Sequence, residues 1–212
     1  MEKNLDKHIY RIVEVMNSIE LGGTITVLTG SNGSGKSLIR KQILFSIANK
    51  LGLDTSDKNN LKGLAVSTSM ERRTIPNNDF SALRSMAIDD PTSPTSAHTV
   101  HLIKSLMGSC KGQFIIIDEP EIGMGEETVL GLVAWLNATL KDTVRSNEAT
   151  GVLIITHSRL IVEKLEADAF LNIDGYTKDG WLNRELVPLD LEELERHSLE
   201  LYRAINKRSK EK

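Results

Sequence analysis

The chain has 212 residues with 26 Lys and Arg against 29 Asp and Glu, so its formal net charge is −3; 40% of residues are apolar and 26% charged, an ordinary globular composition for one domain carrying at most a small insertion. No apolar run approaches the roughly 20 residues of a membrane-spanning helix, the start MEKNLDKHIYRIVEV has no signal-peptide core, and the single cysteine, Cys110, excludes an internal disulfide and a thiolate metal cluster. The slightly acidic balance and 4% aromatic content remove overall charge and base-stacking platforms as arguments for nucleic-acid binding, leaving only a local patch, and a reducing, cytoplasmic setting is expected.

Leu5, Ile9, Ile12, Val13, Met16 and Ile19 recur at helical spacing and predict an amphipathic helix. Gly22-Gly23 breaks it, and Thr24 to Thr29 reads as a β-branched strand. A Gly-rich turn leads into a helix with Ile39, Ile43 and Ile47 on one stripe, then a loop over 52–62 and a strand at Leu64 to Thr68. Residues 70–96 are polar, with three prolines and little periodicity, and suit a loop-rich insertion. Val100, Ile103 and Met107 predict a helix capped by Thr95 or Ser96. Phe114 to Ile117 and Val152 to Thr156 are continuous apolar runs, as expected of strands covered on both faces. Between them, Val129, Val133, Leu136 and Leu140 make another helix, and 158–167 suits a short one. Phe170 to Asp174 and Trp181 to Leu189, separated by GYTKDG, predict an antiparallel hairpin. A final helix turns Leu191, Leu194, Leu201 and Ile205 inward, and its end, RAINKRSKEK, reads as a solvated basic tail. Strands alternating with helices predict an α/β fold with a mostly parallel sheet flanked by helices.

Gly30-Ser31-Asn32-Gly33-Ser34-Gly35-Lys36-Ser37 fits G-x-x-x-x-G-K-[ST], between a strand and a helix, the context that gives this pattern meaning. Glycines let the backbone curl so that successive N–H groups face a phosphate, and the helix N-terminus adds partial positive charge. Lys36 would reach the β- and γ-phosphates and Ser37 would ligate Mg2+. Phe114-Ile-Ile-Ile-Asp118-Glu119-Pro120 ends an apolar strand in two acids, which places carboxylates at the ligand-binding edge of an open sheet. Asp118 would hold Mg2+, and Glu119 would orient and deprotonate a water, which points to hydrolysis. Ile155-Thr156-His157-Ser158 brings a histidine to the same edge, where it would bond the γ-phosphate or hold the attacking water. The plain alternatives are a Gly/Ser turn, a surface acidic turn and a strand-end cap.

The order GSNGSGKS, IIIDEPE, IITHS resembles the ATP-binding cassette ATPases, a P-loop NTPase superfamily, with Asn32 in the cradle as part of the match. DEPEIGMGEE is similar to the soluble branch of chromosome-maintenance, recombination and overcoming-lysogenisation-type ATPases rather than to transporter subunits. The resemblance implies ATP and Mg2+ as ligands. It also implies a dimer in which each cradle is completed by the partner's signature segment. Here that window reads Pro94-Thr95-Ser96-Ala97-His98-Thr99, with Ser96 as the equivalent of the signature serine and without the glycines and glutamine of the family pattern. The family's glutamine is also missing from Ser67 to Arg73, where Ser69 or Glu71 would have to substitute, and Tyr10 is the sole candidate for stacking on a base. The short stretch between cradle and acidic pair leaves room for a reduced signature lobe at 70–112 within one ATPase domain spanning 1–212.

The expected function is therefore a cytoplasmic ATPase that binds and hydrolyses Mg-ATP as a conformational or dimerisation switch, as a homodimer or with an effector protein, for a DNA-related or defence-related partner. A nucleotide-binding regulatory module with little hydrolysis, the ATP-binding subunit of a transporter, and a small-molecule kinase using Arg72, Arg73 and Arg84 are the competing readings.

Overall fold

ITVLT, FIII and VLII carry apolar side chains in both directions from the strand, so neither face of a sheet built from them can meet water, and neither does. In a computed structural model, which describes residues 2–20, 22–31, 34–36, 39, 42–43, 46, 65–67, 95–109, 112–146, 149–186, 188, 192, 196, 199–200 and 203, five strands form one sheet. They are β1 (Ile25–Thr29), β2 (Ala65–Ser67), β3 (Gln113–Asp118), β4 (Ala149–Ile155) and β5 (Ala169–Asn172), in the order β2-β3-β4-β1-β5. Every pairing is parallel: Ile25 faces Val152, Phe114 faces Gly151, Thr26 faces Ala169 and Ala65 faces Phe114. All carboxyl ends therefore open on one edge.

The two-residue alternation along the strands divides the core into two layers. Leu28, Phe114, Ile116, Leu153 and Ile155 point to one side, where they meet Ile9, Ile12, Val15 and Ile19 from α1 (Glu2–Asn17) and its end, with Ile39 and Ile43 from the helical residues after the Gly-rich loop. Val27, Ile115, Ile117, Val152 and Ile154 point to the other. That side is covered by α2 (Thr95–Ser109), α3 (Glu126–Arg145), α4 (Arg159–Lys164) and α5 (Lys178–Leu182). Ser158 caps α4 by accepting the Ile161 N–H, and Thr177 caps α5 by accepting the Gly180 N–H. Among the described residues no helix is long and apolar enough to cross a membrane.

Four expectations change. The buried stripe of α1 takes in Val15 and leaves Val13 46% exposed; at 100° per residue the stripe centres near Ile12 and Ile19, and Val13 falls beyond its margin. Thr95 and Ser96 lie inside the first turn of α2 and so do not cap it. The 158–167 helix stops at Lys164, where Leu165 turns extended. The antiparallel hairpin does not form: residues 178–182 are helical, the described residues from Asn183 to Leu186 are not strand, and β5 pairs in parallel with β1. GYTKDG sends the chain into a capped helix because Trp181, 1% exposed, is worth more buried in the core than on an edge strand. Arg184 finishes that turn, donating to the Trp181 carbonyl at 2.8 Å while its guanidinium stacks 4.1 Å from the indole centre. The loop at 52–62, the stretch 70–94 and the inward apolar residues of the final helix, with the basic tail after Arg203, lie outside the described residues; Glu192, Arg196, Leu199, Glu200 and Arg203 are helical as expected.

Gly151 shows how tightly the first layer is packed. A Cβ there would sit 2.8 Å from the Phe114 ring on the neighbouring strand. Gly151→Ala is expected to lower the unfolding free energy by about 1–3 kcal/mol, the usual penalty for overpacking, read from urea unfolding curves at unchanged slope.

Candidate functional site

The carboxyl edge is held together by backbone bonds that continue the ladder past the strand ends. The Glu119 N–H donates to the Ile155 carbonyl at 2.8 Å, Thr156 N–H to Leu28 at 3.1 Å, and Ile173 N–H to Thr29 at 3.1 Å. The ends of β3, β4, β1 and β5 and the segments after them are thus brought side by side, and all the described candidate residues except Ser96 and Tyr10 belong to them.

After β1 the chain turns at Gly30, where a Cβ would lie 2.5 Å from Ser34 Oγ and 3.3 Å from Ile173 Cβ, so only glycine fits without a shift. Ser34 N–H donates to Ser31 O at 3.2 Å, Gly35 takes a left-handed φ of +98°, and the Ile39 N–H to Gly35 O bond of 3.0 Å starts the helix. Lys36 folds back inside this turn. Its Nζ donates to the carbonyls of Gly30 at 3.0 Å and Ser31 at 2.8 Å, and the residue is 7% exposed. Burial lowers its pKa to about 8, opposed by the carboxylates of Glu119, Asp174, Asp118 and Glu121. Asp174, just past β5, grips the loop from outside: its carboxylate accepts the Ser31 N–H at 2.6 Å and the Ser31 hydroxyl at 3.0 Å. Asn32, Gly33 and Ser37 lie outside the described residues.

β3 delivers Asp118, half-buried, opposite Ile155. Glu119 follows with φ +48°, among the described residues the one non-glycine in the left-handed region. That strained backbone swings its carboxylate back to the sheet edge, where Oε1 lies 3.3 Å from His157 Nε2. Glu119 and His157, expected only at the same edge, thus meet across β3 and β4, with the buried Lys36 close enough to feel both Glu119 and Asp118. Pro120 is buried and Gly123 takes φ +76°, so the turn after the acids is tightly shaped.

Ser96 is half-buried in the first turn of α2, whose Ile103 and Met107 pack on the sheet face opposite the helix that follows the loop. Among the described residues no hydrogen bond ties Ser96 to the cluster. Ser69, Glu71, Arg72, Arg73 and Arg84 lie outside the described residues, and Tyr10 is 72% exposed on α1. Four residues that motif matching passed over hold the site in shape. They are Asp174 on Ser31, Asn172 on Thr29 Oγ1 at 2.9 Å, and Glu121 and Thr156, which bond each other at 2.8 Å. The acid at 121 stood in the DEPE run, but nothing in the run says that its carboxylate reaches the next strand.

The loop suits a polyphosphate: a side chain at Gly30 would displace Ser34, an ammonium is stored within the loop, and a helix begins at its end. Among the described residues no three His, Cys, Asp or Glu side chains form a metal site. The half-buried Asp118 beside a phosphate cradle fits Mg2+, which uses one or two carboxylates and completes its shell with phosphates and water.

The parallel α/β sheet thus carries the glycine-rich loop and its lysine after β1, the acids at the end of β3 and the histidine after the intervening β4, all at one edge. No family model and no curated protein matches the sequence. Among solved structures, the chain is similar to the ATP-binding cassette MJ0796 in a dimeric, post-hydrolysis state bound to ADP and Pi: 15% identity, TM-score 0.44, over 71% of this chain and 82% of that one. It is also similar to C. elegans PCH-2, with 14% identity and TM-score 0.36 over 82% of this chain and 41% of that one. The ORC2 protein of Aeropyrum pernix, as ADPNP–ADP complexes, has 12% identity and TM-score 0.35 over 79% and 46%. The chain spans less than half the length of the latter two.

Two outcomes follow from the strain and the burial. Glu119→Gly and Glu119→Ala both lose the carboxylate, but only alanine keeps the left-handed penalty, so the glycine variant is expected to be more stable by roughly 1 kcal/mol in urea unfolding. Lys36 has a folded pKa of about 8 against an ordinary 10.5, so the folded state binds fewer protons between those values. Its contribution makes stability rise with pH from about 8 to 10.5 and is lost as pH falls back through 8. Unfolding free energies at about pH 7.5 and pH 9.5 should show a smaller pH dependence for Lys36→Met than for the unaltered chain.

Proposed function

We propose that the chain is a Mg2+-dependent ATP hydrolase of the ATP-binding cassette type. One observation supports this above the others: Glu119 Oε1 and His157 Nε2 stand 3.3 Å apart at the edge of the sheet that also carries the phosphate loop and its buried lysine. A carboxylate paired with a histidine beside a triphosphate suits activation of water better than delivery of a phosphoryl group to a second substrate.

In this reading Gly30, Ser31, Asn32, Gly33, Ser34 and Gly35 wrap the phosphates with backbone N–H groups. Lys36 leaves the Gly30 and Ser31 carbonyls to bond β- and γ-phosphate oxygens, which restores full charge to an ammonium that burial had weakened. Ser37 and Asp118 position Mg2+, the latter directly or through water. Mg2+, when bound, offsets charge that develops between the β- and γ-phosphates. Glu119 takes a proton from the attacking water, and His157 holds that water or the γ-phosphate in line. Ser96 acts in trans, from the partner copy of a nucleotide-dependent dimer, in keeping with its helix lying on the sheet face opposite the loop helix. Closing and opening of that dimer, or of a complex with an effector protein, is the switch that a DNA-related or defence-related partner reads.

The test is ATP turnover with Mg2+ for the unaltered chain and Glu119→Gln, with mass measured by light scattering in both. The expected result is turnover by the unaltered chain, loss of about 100-fold or more in the variant, and an ATP-bound dimer trapped by it. Binding without turnover by an unaltered chain that stays monomeric would replace this reading with that of a nucleotide-binding regulatory module, a reading that the incomplete segment Thr95-Ser96-Ala97-His98 favours.

A further inference from the structure

Glu119 and His157 come from different strands, and two side chains on flexible arms do not hold 3.3 Å unless both turns are tied. Glu119 is tied by its own N–H on Ile155 and by its tight backbone. His157 has no regular structure around it, because residues 156–158 lie between β4 and α4. What anchors it is Glu121. A single oxygen, Oε1, accepts both the Thr156 hydroxyl and the His157 N–H, each at 2.8 Å. Thr156 Oγ1 in turn accepts the Ser158 N–H at 2.9 Å, so Oε1 links all three residues of a turn whose ends are also tied by the Thr156 N–H to Leu28 and by the Ser158 cap on α4. Thr156 is fully buried, which makes its hydroxyl dependent on this acceptor.

The other oxygen, Oε2, is buried and has no partner among the described residues. We propose that Glu121 is a positioning residue for hydrolysis: by accepting two bonds on Oε1 it locks the backbone of His157 and so sets the separation of His157 Nε2 from the Glu119 carboxylate. The assignment rests on the hydrolase reading above for its effect on turnover, but not for its effect on the histidine.

The mechanism needs an acceptor oxygen rather than a negative charge, and this separates it from a direct role of the carboxylate at the metal or the water. Glu121→Gln retains one oxygen that can take both bonds, whereas Glu121→Leu retains none. Turnover at saturating Mg-ATP is expected to fall by about 10- to 100-fold in Glu121→Leu with nucleotide affinity within about threefold of the unaltered chain, and to stay within about threefold in Glu121→Gln. In a His157→Ala background, Glu121→Leu should cost little more, because the two residues act as one unit.

A second readout does not depend on turnover. The imidazole carbon-bound proton signal of His157 in two-dimensional NMR should move or broaden in Glu121→Leu and keep its place in Glu121→Gln. An unchanged His157 signal in Glu121→Leu overturns the inference even if the chain hydrolyses ATP. A Glu121→Gln variant as inactive as Glu121→Leu overturns it in favour of a direct carboxylate role. If the unaltered chain has no turnover but the His157 signal responds as expected, the hydrolase reading fails while the strap stands.

Discussion

The register of three parallel strands is the constraint on which the site depends. Because β3 pairs with β4 and β4 with β1, the first residues past each strand emerge at one level: Glu119 bonds Ile155, and Thr156 bonds Leu28. A slip by one residue would turn the apolar sets of Phe114-Ile116 and Ile115-Ile117 into each other's layers and carry the acids and the histidine out of register with the loop. The apolar packing on both faces thus does more than stabilise the sheet, since it forbids that slip. The close fit of the Phe114 ring over Gly151 is one place where the register is written into side-chain shape.

Around that frame the polar groups are arranged so that each flexible piece is tied by its neighbour. The loop after β1 is held from within by Lys36 and from outside by Asp174. The turn after β4 is held by Glu121 from the turn after β3. Glu119 itself stands in a backbone conformation that disfavours any side chain, a local strain that the surrounding bonds and the buried Pro120 sustain. Strain and a half-desolvated ammonium are both features that oppose folding locally. Their concentration at one edge of an otherwise well-packed sheet is what separates a site from a scaffold.

Much of this was legible without coordinates. Two of the strands were recognisable as continuous apolar runs, Thr24 to Thr29 and Leu64 to Thr68 as shorter strands, and Phe170 to Asp174 only as an arm of a hairpin that does not form; the order of loop, acid pair and histidine placed all three at strand ends. Local pattern failed where a tertiary contact outweighed it. GYTKDG is a sound hairpin signal, yet the burial of Trp181 made the following residues helical; Val13 keeps helical spacing, yet the sheet selects Val15. Motif patterns also could not show what a side chain reaches, which is why Asp174, outside every motif, was missed and Glu121, inside the DEPE run, was given no role.

The sequence by itself determined which groups stand at strand ends, a glycine-lysine loop, two acids after one apolar strand and a histidine after another, because residue type alone dictates backbone curl, charge and basicity. Only the tertiary structure decided that Glu119 and His157 meet at 3.3 Å, that Lys36 is stored in its own loop and that one oxygen of Glu121 carries the histidine turn. Those facts depend on which strands lie next to each other, and adjacency follows from long-range pairing and packing to which no local stretch of sequence has access.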